Sequence, residues 1–132
     1  MIRMPPALRD YRGHVGRRVA LRDLNATFVV HEPNGWREVD ALAEATGVYM
    51  LCPKCFTFNG GDVGTHRVLC WFRGRGVPDE LQPGPGRWTP SGSCLDDLTF
   101  IPGAPPIAHS VLLTGGCGWH GYVRNGACES DT

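Results

Sequence analysis

The sequence predicts an α+β, β-rich fold, a small antiparallel sheet or barrel-like domain with one short helix. Two observations carry this. Short runs of β-branched and aromatic residues recur from Ala26 onward, separated by turn residues. Glycine and proline supply 18 and 11 of the 132 residues, so the chain reverses direction often. A third observation adds a clasp: the CxxC Cys52-Pro53-Lys54-Cys55 is answered near the C-terminus by a CxxH, Cys117-Gly118-Trp119-His120.

A chain of 14.4 kDa with 42% hydrophobic and 20% charged residues fits one domain with a real core. Residues 1–16, with Pro5-Pro6 and no apolar periodicity, read as a basic, extended arm. Residues 17–128 form the single folded domain, and 129–132 a short acidic tail. Net charge is zero, but Arg3, Arg9, Arg12, Arg17, Arg18 and Arg22 stand against Asp10 alone, leaving the body mildly acidic. The N-terminus lacks the apolar region of a secretory signal and no run is long enough to span a bilayer, so an intracellular or virion protein without membrane contact is expected.

Val19, Leu21 and Leu24 suggest a short first strand, and "ATFVVHE" a second. The helix is expected in "NGWREVDALAEATG": Val39, Leu42 and Ala43 share a face, Glu38 and Asp40 suit its first turns, and Gly47 suits its end. "VYML", "HRVLCWF", "DLTFI" and "HSVLL" read as strands. "GYVRNGAC" reads as a hairpin whose Asn125-Gly126 fits a type I′ turn. The loop from Arg73 to Arg87 is long enough to be functional or mobile.

Cys52, Cys55, Cys117 and His120 make the Cys₃His set that Zn²⁺ takes in structural sites. Pro53 fixes the first turn position, Gly118 and Gly121 allow tight geometry, and Lys54 offsets thiolate charge. Three thiolates, one neutral imidazole and Zn²⁺ sum to a single negative charge. The whole stretch from Phe56 to Gly116 separates the pairs, so the ion is expected to join a central strand to the C-terminal hairpin as a zinc ribbon-like clasp. The plainer reading is two unrelated turns with buried thiols. A thioredoxin-like redox pair belongs at a helix start, whereas "FTFNGG" reads as a loop.

His66, entering a strand, is a possible additional ligand, although such a histidine is more often a core or hydrogen-bonding residue. Cys70, Cys94 and Cys128 read as free thiols, Cys70 in a buried strand and Cys128 in a mobile tail. His14, His31 and His109 have no ligand-spaced neighbour. Trp71, Trp88 and Trp119 are expected to pack around the site, with Trp88 beside Arg87 an alternative recognition surface. A zinc deaminase signature, HxE…PCxxC, fails in detail: Glu32 directly follows His31, and Leu51 stands where proline is needed. No GxSxG, P-loop or HExxH occurs.

The runs "AEATGVYMLCPKCF", "NGGDVGTHRVLCWF", "PGPGRW", "SGSCLDDLTF" and "SVLLTGGCGWHGYVRNG" resemble an uncharacterised family encoded mostly by tailed bacteriophages, prophages and related bacterial loci. The resemblance covers about residues 43–126. It implies that Cys52, Cys55, Cys117 and His120 are the family's paired metal-like motifs, with His66, Trp88, Gly92, Asp97 and Trp119 as accompanying positions; Cys94 departs from the pattern. The family brings no established activity.

The expected function is a phage-encoded, zinc-stabilised accessory or virion-associated module, non-enzymatic, that binds other phage or host proteins in the host cytoplasm or virion. Its partner contacts are expected at Arg9, Arg12, Arg17, Arg18 and Trp88. Nucleic-acid binding through the Arg-rich arm is the first alternative, and a zinc-dependent hydrolase or deaminase-like enzyme the second.

Overall fold

The computed structural model describes residues 18–83, 86–101, 111–112, 117 and 119–130. The expected arm at 1–16 lies outside these residues. Ten short strands dominate the regular structure of the described residues, the longest of them, Thr27–Glu32, where β-branched and aromatic side chains cluster. In chain order, β1 (Arg18–Ala20) runs into a 3-10 turn (Leu21–Leu24), then β2 (Thr27–Glu32) and β3 (Gly35–Val39) form a hairpin. A second 3-10 turn (Leu42–Glu44) leads to β4 (Gly47–Leu51), helix α1 (Pro53–Asn59) and β5 (Arg67–Trp71). β6 (Thr89–Ser91), β7 (Thr99–Ile101), β8 (Val111–Leu112), β9 (His120–Arg124) and β10 (Ala127–Ser130) complete it.

The strands form two open four-stranded antiparallel sheets, ordered β3-β2-β4-β5 and β1-β10-β9-β8, with β6-β7 as a separate ribbon. Phe28, Val48, Met50, Val68 and Cys70 from the first sheet share one core with Val19, Val123 and Cys128 from the second. Each large apolar side chain removed from water there contributes about 1.5–3 kcal/mol. Leu21, Leu24, Phe72, Leu98 and Trp119 are also buried in it. The Cys128 thiol lies 3.7 Å from Met50 Sδ, so β10 sits directly against β4. Among the described residues no helix is long and apolar enough to cross a membrane.

Three expectations are corrected. The helix expected in "NGWREVDALAEATG" is strand β3 followed by a single 3-10 turn. A two-residue turn at Pro33-Asn34 folds the chain back, with Glu32 opposite Gly35, whose φ of 150° suits glycine. Cross-strand partners hold β3 there: Arg37 pairs with Glu32 at 2.8 Å, and Trp36 packs on Tyr49 with ring centroids 4.7 Å apart. The short α-helix of the described residues instead begins at the CxxC, where a loop was expected. Pro53 occupies its first turn, and Gly60 ends it in the left-handed conformation at φ 75°. Finally, Cys128 lies in no mobile tail: it is fully buried in β10, a strand that also takes in Glu129 and Ser130.

The long Arg73–Arg87 loop is knit down by arginines. The Arg75 guanidinium donates to the carbonyls of Leu42 (3.0 Å) and Ala45 (2.6 Å), and Arg87 donates to those of Pro78 (2.8 Å) and Leu81 (2.9 Å). Trp71 Nε1 donates to the Gln82 carbonyl at 3.0 Å, holding the loop against the first sheet. Gly47 makes room beneath: a Cβ there would stand 2.7 Å from the Trp71 ring. In the hairpin β9–β10, Asn125 and Gly126 take φ 50° and 80°, as the type I′ turn requires.

Candidate metal centre

Strand β4 is buried along Val48, Met50 and Leu51, and it delivers Cys52 to the position before the first turn of α1. The Cys52 carbonyl accepts the Phe56 N–H at 2.8 Å, closing the first helical turn. Cys55, three residues on, therefore comes round to the same side as Cys52. The Cys55 backbone N–H also favours the Cys52 thiolate, although burial dominates and pushes that thiol up to about 12. Burial likewise raises the Cys55 thiol.

The third donor comes from the β4–β5 ladder. Leu51 faces Arg67, and the next step brings Cys52 opposite His66, whose carbonyl accepts the Cys52 N–H at 2.8 Å. Facing residues of an antiparallel pair point to the same side with Cβ atoms about 5 Å apart. The fourth donor, Cys117, stands just before buried Trp119 and β9. Its Sγ is 3.4 Å from Cys52 Sγ and 3.5 Å from His66 Nε2. Lys54 crosses between the two turns and donates to the Cys117 carbonyl at 3.0 Å.

Cys52, Cys55, His66 and Cys117 thus present one sulfur or nitrogen each, all within 4.8 Å of one another, a set able to hold a metal ion. Burial alone raises the Cys117 thiol. Hydrogen bonds from His66, Cys52, the Trp119 backbone N–H and Cys55 outweigh it and bring the thiol down to about 7. The cluster is graded in depth, with Cys52 buried, Cys55 and Cys117 half-buried and His66 exposed. Cys70 and Cys128 take no part: both are fully buried, and desolvation pushes Cys70 up to about 12 and Cys128 well above its ordinary value.

Three of the four ligands expected from the paired motifs are brought together. The backbone of His120 opens β9 opposite Leu112, while its side chain lies outside the described residues. His66 is in the cluster itself. The signal for it was the register: "VYML" and "RVLCW" pair so that the residues beyond Leu51 and before Arg67 face each other. The start of α1 after a strand is also the seat of thioredoxin-like pairs, so position does not separate redox use from metal binding; the convergence of Cys117 and His66 adds two further donors to the pair.

The expected partner residues fare differently. Arg9, Arg12 and Arg17 lie outside the described residues. Arg18 is held at home, donating to Glu129 at 2.8 Å and to the Arg124 and Asn125 carbonyls at 3.4 Å. Trp88 is half-buried and stacks on Phe100, with centroids 5.5 Å apart. Gly92 and Asp97 build a local box. The Asp97 carboxylate accepts the N–H groups of Ser93 and Cys94 at 2.8 and 2.9 Å and the Ser93 hydroxyl at 2.9 Å. These bonds, led by the Cys94 N–H, lower its pKa to about 2. His31 Nδ1 lies 3.0 Å from the Thr46 hydroxyl and is not part of the donor set. The chain matches no family model, no curated protein and no solved structure.

Proposed function

We propose that Cys52, Cys55, His66 and Cys117 bind one Zn²⁺ as a structural staple, and that the chain is a zinc-stabilised, non-enzymatic protein-interaction module. The observation that carries this reading is the convergence of three sulfurs and one imidazole nitrogen within 4.8 Å. Around a tetrahedral zinc, such donors stand about 3.5–3.8 Å apart. The sulfur–sulfur and sulfur–nitrogen separations of 3.4 and 3.5 Å are close to that already. Hard cations prefer oxygen donors, and this set has none.

Four protein donors fill a tetrahedron and leave no coordination place for an activated water, which favours scaffolding over hydrolysis. What the staple secures is the junction of β4, α1 and β5 with the approach to β9. Next to that junction Phe58 and Val63 are 89% and 86% exposed, apolar contact surface on a segment that the ion would hold rigid. The nucleic-acid reading gains less support, since Arg18 and Arg22 are engaged by Glu129 and Asp96. With the motif resemblance, the reading points to a phage accessory or virion-associated role.

The test is elemental analysis of the protein purified without added metal, together with capture of partners by wild type and by Phe58→Asp. One equivalent of zinc, and partners lost in the variant while zinc is retained, are expected. Substoichiometric metal contradicts the staple, and unchanged capture contradicts the contact surface.

A further inference from the structure

We propose that peroxide converts the metal staple into a covalent one, joining Cys52 to Cys117 rather than Cys52 to Cys55. The inference rests on the zinc reading above and concerns the regulation of that site. The CxxC spacing makes Cys52–Cys55 the expected disulfide; all the thiols of the cluster lie within 4.8 Å of one another, and Cys52 Sγ and Cys117 Sγ, from distant segments, are already 3.4 Å apart. Accessibility and proximity together set the order of events. Cys55 and Cys117 are both half-buried and open to the oxidant, while fully buried Cys52 lies 3.4 Å behind Cys117. Lys54, which donates to the Cys117 carbonyl at 3.0 Å, holds the second turn against the first when the ion leaves.

The chemistry balances as a two-electron oxidation. The Cys117 thiolate attacks one oxygen of hydrogen peroxide, the O–O bond breaks, and a sulfenic acid forms with release of hydroxide. The Cys52 thiolate then attacks the sulfenic sulfur, the S–OH bond breaks, and a second hydroxide leaves as the S–S bond forms. Two protons from solvent turn the hydroxides into water. Two sulfurs have been oxidised to a disulfide, the peroxide has been reduced, and Zn²⁺, left with Cys55 and His66 alone, dissociates.

The consequence differs from that of a bond within the CxxC. A Cys52–Cys55 link closes one helical turn and leaves the β4 and β9 segments untied once zinc is gone. A Cys52–Cys117 link spans the same two segments as the ion did, closing a long loop of the unfolded chain. The oxidised, zinc-free protein therefore remains folded, while chelation without oxidation does not preserve the tie.

The experiment uses the full chain carrying Cys94→Ser, which removes a half-buried thiol outside the site. Zinc is measured first, then the protein is treated with hydrogen peroxide, released zinc is followed with a chromogenic chelator, and disulfides are mapped by non-reducing peptide mass spectrometry. Absence of zinc before treatment overturns the staple reading, whatever disulfide follows. With zinc present, the expected result is one equivalent released alongside a Cys52–Cys117 peptide pair, with a melting temperature above that of chelator-treated protein. A Cys52–Cys55 pair, oxidation to sulfinic acid without a disulfide, or no reaction each overturns the inference.

Discussion

The Cys52 backbone N–H donates to the His66 carbonyl at 2.8 Å, one ladder step beyond the Leu51–Arg67 pair. That bond fixes which histidine stands beside the thiolates whether or not a metal is present.

His66→Ala should therefore weaken zinc binding by more than the roughly 10–100-fold that loss of an outer-shell partner costs. His120→Ala should stay within that range. Competition with a chromogenic chelator measures both, and the reverse ranking would give the fourth position to His120.

Cys117→Ser should remove the metal and untie β9 from β4. Structural zinc contributes about 10–16 kcal/mol of apparent folding free energy in finger peptides, and a domain with its own core depends on it less. A fall in melting temperature of at least about 10 °C is expected, at a few degrees per kcal/mol. The midpoint should match that of chelator-treated wild type; a near-wild-type midpoint would mean that the ion stabilises nothing.

Much of the fold was legible because its strands are locally consistent. Thr27, Phe28, Val29 and Val30 follow one another in "ATFVVHE" as an unbroken β-favouring run, and Asn125-Gly126 marks its hairpin unaided. The segment from Gly35 to Glu44 was misread because its helix formers carry only a weak preference, which the Trp36–Tyr49 and Arg37–Glu32 contacts override. Helix α1 was missed for the opposite reason: Phe56, Thr57 and Phe58 favour strands, yet Pro53 and Gly60 punctuate a helix. Cys52, Cys55 and Cys117 were readable from spacing. His66 became a ligand candidate of equal rank only through long-range register, which no local motif encodes.

Gly126→Ala should be among the most damaging turn substitutions, because Gly126 is buried. Gly126 has φ 80°, and a Cβ there would run into the carbonyl oxygen of Asp96. Its N–H and carbonyl also bond Leu98 and Leu21 at 2.9 Å, so the turn cannot move away freely. A loss of more than about 1 kcal/mol is expected by denaturant titration, beyond the cost of a left-handed residue alone. Gly60→Ala, with open space around its Cβ, should cost less.

Asp97 gives a pH-dependent prediction. Its folded pKa is lowered to about 2, first by the Cys94 N–H and then by the Ser93 groups, so the carboxylate favours the fold above its unfolded pKa near 3.9. That contribution is present at neutral pH and disappears as pH falls through about 2. Asp97→Ala should therefore be less stable than wild type at about pH 6, with the gap closing between about pH 4 and pH 2. Urea melts across that range measure it; a gap independent of pH would assign the effect to packing.

X-ray absorption at the zinc edge tests the central claim most directly. One zinc per chain is expected, with three sulfurs at about 2.3 Å and one nitrogen at about 2.0–2.1 Å. A first shell of oxygen and nitrogen only, or one retaining a water, would contradict it.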